Sequence, residues 1–229
     1  MLVKTMILAA GRGERMRPLT DACPKPLLVA GGKPLIFHHL ERLAGAGLRD
    51  IVINHAHLGW MIEETLGDGS RFGVRIRYSA EAEALETAGG IRQAQALLGD
   101  EAFLVMNGDV FCDFDIDRFA NKASSLEAGG DIAHLLLVPN PTHHPEGDFA
   151  LEGTRVREGS HKRLTYAGIG LFHPALFHDL AIGQRAALGP LLRRSIAQDR
   201  VAGQRHEGYW LDVGTPERLA HLDFHLRHD

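Results

Sequence analysis

The sequence predicts an α/β fold built on a mixed, mostly parallel sheet, and three observations support it. Short apolar runs alternate with amphipathic stretches over the first half of the 229-residue chain, a pattern typical of parallel strands joined by helical crossovers. Polar motifs follow several of these runs, and ligands collect beyond the carboxyl ends of parallel strands. After about residue 130 the alternation gives way to shorter strand-like segments, which indicates a β-rich second half.

Each element of the first half follows from the spacing of its apolar residues. Strands are predicted at residues 5–10, 50–54, 74–79 and 102–107. Helices are predicted between them, at residues 35–46, 59–66 and 87–98. A helix between successive strands is the usual connection for parallel pairing.

The second half has a different pattern. Residues 131–138 are strand-like, and a loop follows, marked by Pro139, Pro141 and Pro145. A hairpin is predicted at residues 149–157, a strand at 164–172, and helices at 188–198 and 215–225. With no repeat or linker in view, we predict one domain over residues 1–229, whose two halves meet near residue 130.

Composition excludes several classes of protein. Lys and Arg number 25 against 29 Asp and Glu, so a strongly basic nucleic-acid surface is not expected. No run approaches the ~18 apolar residues of a membrane helix, and the amino-terminal run lacks the features of a signal peptide. Two cysteines cannot form a disulfide framework. The sequence therefore predicts a cytoplasmic protein with no nucleic-acid or membrane partner.

Fourteen histidines raise the question of a metal site. Three pairs are close in sequence, but none has the cysteines, the second matched pair or the HExxH glutamate of a known metal motif. We therefore predict surface histidines at all three pairs: His55 and His57, His143 and His144, His221 and His225. Cys23 has no visible base beside it and is predicted to have no catalytic role.

The segment after the first predicted strand, residues 8–26, reads LAAGRGERMRPLTDACPKP. Glycines at this position let backbone N–H groups approach a phosphate without steric clash. The segment also carries four cations: Arg12, Arg15, Arg17 and Lys25. It lacks the third glycine of GxGxxG and the GK[ST] of a P-loop, so neither of those motifs explains it.

The pattern G-R-G-E-R-M-R-P-L-T-x-x-x-P-K-P-L resembles the signature of the sugar-1-phosphate nucleotidyltransferases. ETAGG at 86–90, NGD at 107–109 and DVGTP at 212–216 recur in the family's order. The resemblance implies an enzyme that joins a nucleoside triphosphate to a sugar 1-phosphate and releases pyrophosphate. It also implies the Rossmann-like, three-layer nucleotide-diphospho-sugar transferase fold, with a nucleotide-binding half at about 1–130 and a sugar-binding half at about 131–229.

The resemblance assigns four residues to the reaction, in which the sugar phosphate attacks the α-phosphate. Lys25 would contact the α-phosphate region and the incoming sugar phosphate, and Arg15 would hold the departing pyrophosphate. Asp109 and Asp212 would bind Mg²⁺, a hard cation that takes few protein carboxylates and several phosphate oxygens. Asp109 is thus assigned both to catalysis and to the metal.

The nucleotide-binding residues implied by the resemblance are Leu8, Ala10, Gly11, Arg12, Gly13, Glu81, Gly89 and Gly90. This chain departs from the family here, because Ala80 stands where a base-reading Gln is usual and Glu86 replaces a Gly. Glu81 could accept a hydrogen bond from uracil or guanine, or it could be an exposed loop carboxylate. The local residues therefore do not determine which base the protein binds.

On the sugar side, the resemblance implies that Gly147 and Asp148 contact sugar hydroxyls. Asn107 could bind the sugar or only hold its loop. The family's Glu-Lys-Pro element, whose lysine helps to hold the sugar phosphate, is absent between residues 149 and 168. Lys25 and Arg17 would then carry more of the phosphate charge.

The segments LETAGGI, NHAHLG and HHPEGDF are most similar to family members that use UTP and N-acetylmuramate 1-phosphate in cell-wall sugar recycling. The alternatives are a mannose-1-phosphate guanylyltransferase, a glucose-1-phosphate uridylyl- or thymidylyltransferase, and a catalytically silent regulatory subunit that binds sugar nucleotides. Because the chain ends soon after the last predicted helix, we expect a monomer.

Overall fold

The computed structural model describes residues 3–127, 129–159 and 162–228. Its strands are β1 (Thr5–Leu8), β2 (Val29–Ala30), β3 (Lys33–Pro34), β4 (Asp50–His55), β5 (Arg75–Ala80), β6 (Phe103–Asn107), β7 (Val110–Cys112), β8 (Ala133–Val138), β9 (Phe149–Glu152), β10 (Arg155–Arg157), β11 (Arg163–Phe172), β12 (Val201–Arg205) and β13 (Trp210–Asp212). Its α-helices are α1 (Leu19–Ala22), α2 (Leu35–Gly45), α3 (Gly59–Leu66), α4 (Glu86–Gln93), α5 (Gln95–Leu98), α6 (Ile116–Ala120), α7 (Leu188–Ala197) and α8 (Pro216–His228).

One nine-stranded sheet contains strands from both halves of the chain, in the order β5-β4-β1-β6-β11-β8-β12-β10-β9. The strands β5, β4, β1 and β6 are parallel, and β11 runs antiparallel to β6 and β8. Following the pairings, β10 and β11 are the two strands of this sheet that run against the others. The sheet is therefore mixed and mostly parallel, as predicted.

The alternation of apolar residues along the central strands builds three layers. Ile7, Ile53 and Leu104 face one core with α2, α3 and α6. Their neighbours Met6 and Val52 face the opposite core with α4, α5 and α7. Because successive side chains of a strand point to opposite faces, helices cover the sheet on both sides.

The far end of the sheet curls. The strand β9 pairs with both β10 and β11, so β11, β8, β12, β10 and β9 form a closed ring of pairings. This β-rich half lies beside β6, through β11.

The carboxyl-terminal helix α8 packs against β2 and β13. Buried Leu222 of α8 packs with Met16, Leu28 and Val213 in a small third core. The Asp223 carboxylate also accepts a hydrogen bond from the Gly31 N–H at 2.8 Å. The last helix of the chain therefore supports the segment after β1.

The elements predicted from periodicity are present, with bounds that differ by three residues or fewer. The exception is the helix at 87–98, which is divided at Ala94 into α4 and α5. Periodicity missed β12, whose sequence VAGQR is interrupted by Gly203, and several elements of five residues or fewer, which are too short to show a period: β2, β3, β7, β13, α1 and α6. Within the described ranges, no helix combines the length and apolar character needed to cross a bilayer.

His39 connects α2 to the loop after β6. Its ring is buried and hydrogen-bonds to the backbone of Gly108. Burial, with the nearby charges of Arg42 and His38, lowers the pKa of His39 to about 4. The folded protein therefore keeps this ring neutral at pH values where a free histidine is protonated.

Acid should weaken the fold through His39. Its unfolded pKa is 6.5, so the unfolded chain takes up the proton first and stability is lost as the pH falls from about 6.5 towards 4. Between pH 7 and pH 5 we expect this group to lower the free energy of unfolding by about 2 kcal/mol. Urea unfolding of the wild type and of His39→Gln at both pH values measures this change in the free energy of unfolding. Equal decreases in the two proteins would contradict this assignment.

Candidate functional site

A cleft opens at the carboxyl ends of β1, β4 and β6. Its first cavity, of about 320 Å³, is lined by the small residues after β1 and by the start of α4. Its second cavity, of about 380 Å³, is lined by parts of β11 and β13 and by the loop before β9. Asn107 and Asp109 line both cavities. The two cavities therefore meet at the loop that follows β6.

The segment after β1 is folded back on itself by its own side chains. Gly13 has a φ of 71°, and a Cβ atom there would come within 2.9 Å of Thr20 Cγ2. The Thr20 hydroxyl donates to the Gly13 carbonyl at 2.8 Å. Four of the predicted nucleotide-binding residues line the first cavity: Leu8, Ala10, Gly11 and Gly13.

The four cations of this segment divide into two pairs. Arg12 donates to the Thr20 carbonyl at 2.7 Å and lies 3.2 Å from Asp21, which Arg17 also contacts at 2.8 Å. Neither Arg12 nor Arg17 lines either cavity, so they hold the loop. The expected role of Arg17 at the sugar phosphate finds no support in this geometry. Arg12, predicted to bind the nucleotide, does not line the first cavity. Lys25 and Arg15 do reach the cleft, Lys25 in the first cavity and Arg15 in the second.

Lys25 and Asp109 form an ion pair in the middle of the cleft. The Lys25 side chain is only 12% exposed, so little water screens this contact. The pair joins residues that are 84 positions apart in sequence. The two predicted catalytic groups are therefore brought together.

A short ribbon brings the second predicted metal ligand to the same place. The strand β13 pairs antiparallel with β7, with Asp212 opposite Val110. The Val213 N–H donates to the Asp109 carbonyl at 2.7 Å. Asp109 and Asp212 consequently line the same second cavity.

Asp212 is held by two neighbours. Arg218 Nη1 donates to both carboxylate oxygens, at 2.7 and 2.8 Å, and His143 Nε2 lies 2.9 Å from Oδ1. Arg15 is different, because no salt bridge engages it within the described residues. Its exposed guanidinium is therefore available to an anion in the cleft.

Glu81 lies behind the first cavity. It is 7% exposed, Oε1 accepts from Asn54 Nδ2 at 2.6 Å and Oε2 accepts from the Leu85 N–H at 2.8 Å. Both oxygens are therefore engaged by the protein, which corrects the expectations that Glu81 contacts the base or is exposed. Gly90 packs against this pair, since its Cβ atom would lie 2.7 Å from both Asn54 Nδ2 and Glu81 Oε1.

Gly89 and Gly90 also differ from their expected role. They are buried in α4, outside the cavity walls. A Cβ atom on Gly89 would collide with the carbonyl oxygen of Gln184. These glycines let α4 pack closely on its neighbours and do not themselves line the space for a nucleotide.

Of the predicted sugar-binding residues, Asn107 lines the second cavity, whereas Gly147 and Asp148 do not. The Asp148 carboxylate accepts from the Tyr166 N–H at 2.8 Å and lies 3.2 Å from His144 Nε2, so it fixes the wall from behind. Gly147 has a φ of 61° and packs against Asn140. The lining residues that motif matching missed include His143, His144, Thr165, Tyr166, Gly168 and Trp210.

Gly168 shows why the wall of the second cavity has its shape. Its φ is 73°, and a Cβ atom there would come within 2.6 Å of Asn107 Nδ2. Trp210 Nε1 donates to the neighbouring Ala167 carbonyl at 3.0 Å. Burial, with the nearby Asp148 charge, raises the pKa of Tyr166 well above its usual value.

The prediction of surface histidines is wrong in part. His55 is buried, with Nε2 2.7 Å from Glu63 Oε1, whereas His143 is exposed as predicted and lines the second cavity together with the half-buried His144. Within the described ranges, the cluster of three metal-capable side chains that is present, Cys112, Asp113 and His206, includes none of the six. Cys23 does not line the cleft, and burial raises the pKa of its thiol, which makes it a poor nucleophile.

The first cavity also includes residues that no sequence motif, or only a weak one, marks as functional. Asn54 reaches it from β4, and its Oδ1 accepts from the Ala9 N–H at 2.9 Å. Glu86, noted only as a replacement for glycine, lines it together with Arg185, which lies 99 positions away. No sequence pattern marks Arg185.

Removing the Asn54 side chain should destabilise the protein. Asn54→Ala leaves the Ala9 N–H and a buried Glu81 oxygen without their partners, so we expect a loss of about 2–4 kcal/mol in the free energy of unfolding. Urea denaturation measures this loss. Asn121→Ala, at an exposed position, is the control and should change stability by less than about 0.5 kcal/mol. Equal stabilities for the two variants would show that Asn54 does not hold this edge.

Comparison with known proteins agrees with the geometry. A family model described as nucleotidyl transferase matches residues 4–156. The N-acetylmuramate alpha-1-phosphate uridylyltransferase of Neisseria meningitidis serogroup B is 55% identical over 221 residues, which cover 95% of each chain. The mannose-1-phosphate guanyltransferase of Yarrowia lipolytica is 32% identical over 94% of this chain, which spans 61% of that relative.

Two solved structures share the fold. One from Bacillus anthracis, described as a glucose-1-phosphate thymidylyltransferase in complex with a sucrose, has a TM-score of 0.87 at 22% identity and covers 99% of this chain and 96% of its own. HddC from Yersinia pseudotuberculosis, complexed with GMP-PN, has a TM-score of 0.77 at 20% identity over 97% of this chain and 99% of its own. These similarities confirm the predicted fold. The match over residues 4–156 and the relative at 55% identity confirm the resemblance seen in the motifs: this chain belongs to the nucleotidyl transferase family.

Proposed function

We propose that this protein is a uridylyltransferase that joins UTP to N-acetylmuramate 1-phosphate, giving a UDP-sugar and pyrophosphate, in cell-wall sugar recycling. The name of the relative at 55% identity supports this substrate pair. We further propose that it acts as a monomer in the cytoplasm. Two free cysteines are compatible with a reducing compartment.

The observation that carries the proposal is the junction of the two cavities at Asp109. A group bound in the first cavity and a group bound in the second would meet beside Asp109, Lys25 and Asp212. Group transfer between two substrates requires such an arrangement, because the reacting atoms must be held in line. A silent binding subunit has no chemical need for this convergence.

The residues of the chain have distinct tasks in the proposed reaction. The glycine-containing segment after β1 positions the triphosphate in the first cavity. Lys25 exchanges its contact with Asp109 for the α-phosphate and stabilises the charge that develops there. A phosphate oxygen of the sugar 1-phosphate attacks the α-phosphorus, the bond to the β-phosphate oxygen breaks, and pyrophosphate leaves with its charge compensated by Arg15.

Asp109 and Asp212 would hold a magnesium ion. Their carboxylates line one cavity and are the hard oxygen donors that Mg²⁺ prefers. When bound, the ion neutralises charge on the triphosphate and helps to orient it. Without it, Lys25 and Arg218 balance the two carboxylates.

A substrate panel tests the proposal. UTP, CTP, GTP and dTTP are each combined with N-acetylmuramate, N-acetylglucosamine, glucose and mannose 1-phosphates, with and without Mg²⁺. We expect pyrophosphate release with UTP and N-acetylmuramate 1-phosphate, and only when Mg²⁺ is present. Exclusive use of GTP with mannose 1-phosphate would overturn the substrate pair. No release with any pair would favour a regulatory subunit.

Replacing Asp109 should abolish turnover while the fold persists. Asp109→Asn removes a carboxylate charge from the point where the cavities meet, and we expect kcat to fall by about 10³-fold. The matched control is Asp113→Asn, in the same segment but exposed and outside both cavities. Pyrophosphate release and circular dichroism are measured on both. Near-normal turnover of Asp109→Asn would remove this residue from the mechanism.

A further inference from the structure

Glu86 has an unusual backbone. It is the first residue of α4, and its φ is 61°. This left-handed region is costly for a residue with a side chain, whereas glycine enters it freely. Strained residues of this kind persist where the surroundings hold them and where they serve a ligand site.

A clip of backbone hydrogen bonds holds Glu86 in this conformation. The Ala88 and Gly89 N–H groups both donate to the Ala186 carbonyl at 3.0 Å, and the Ala186 N–H donates to the Leu85 carbonyl at 3.0 Å. The clip fixes residues 184–186 against the start of α4. It thereby places Arg185 beside Glu86, with Nε 2.9 Å from Oε1.

Stability does not account for this ion pair. The side chains of Glu86 and Arg185 are 41% and 73% exposed, and exposed ion pairs contribute little to folding. Both residues line the first cavity. The buried carboxylate nearby, Glu81, is already occupied by Asn54 and Leu85. Glu86 and Arg185 are thus a charged acceptor and a charged donor that remain accessible from the cavity.

We propose that the Glu86–Arg185 pair reads the base of the nucleoside triphosphate. This inference rests on the proposed function, which places UTP in the first cavity. Uracil presents an N3–H donor flanked by carbonyl acceptors; Glu86 accepts from N3–H, and Arg185 donates to the neighbouring carbonyl. Cytosine has an unprotonated N3, whose lone pair would face the Glu86 carboxylate, so CTP is rejected.

Three variants test the pair: Glu86→Gln, Glu86→Gly and, as a control, Glu83→Gln. Glu83 is an exposed carboxylate in the same loop that lines neither cavity. Affinities for UTP and CTP are measured by calorimetry, and kcat/KM by pyrophosphate release. Loss of a charged hydrogen-bond partner should lower the preference for UTP over CTP by about 10–100-fold in both Glu86 variants. Glu83→Gln should keep the wild-type preference.

Glu86→Gly also separates recognition from folding. Glycine relieves the strain at φ 61°, so Tm should rise by about 2–4 °C while discrimination is lost. If both Glu86 variants keep the wild-type preference for UTP, the inference is overturned although the proposed function stands. If the wild type itself shows no preference for UTP, the proposed function fails instead.

Discussion

The site depends on a ribbon of two short strands, each of three residues. The strands β7 and β13 lie outside the main sheet and, among the residues that the structure describes, pair with each other alone. Their pairing, continued by the Val213 N–H on the Asp109 carbonyl, brings two carboxylates that are distant in sequence into one cavity. Like charges brought together in this way need compensation. The protein supplies it with Lys25 on one carboxylate and Arg218 on the other.

The four cations of the segment after β1 are divided between the loop itself and the cleft. Arg12 and Arg17 are tied to Asp21 and shape the segment after β1. That segment rests on α8 through the small core around Met16 and Leu222. The first and last parts of the chain therefore support the same loop, and they leave Arg15 and Lys25 facing the cleft.

The sequence predicted the sheet and its helices well because their apolar residues recur at regular spacing. The resemblance also assigned Lys25, Asp109 and Asp212 to one site, because the long motif after β1 and the NGD and DVGTP motifs occur in the family's order. The sequence could not assign side chains whose partners lie far away in sequence. Glu81 became a buried acceptor because Asn54 of β4 reaches it, and Arg185 entered the cavity wall through backbone contacts that no local pattern encodes. The burial of His55 was missed for the same reason, because exposure depends on neighbours from other parts of the fold.

The most direct test of the account is a crystal structure with a non-hydrolysable UTP analogue and Mn²⁺, in which anomalous scattering locates the metal. The account predicts one ion within coordination distance of carboxylate oxygens of both Asp109 and Asp212, with a phosphate oxygen completing its contacts and Lys25 Nζ turned to the α-phosphate. An ion bound away from these two carboxylates, or a triphosphate bound outside the first cavity while Lys25 stays paired with Asp109, would contradict it.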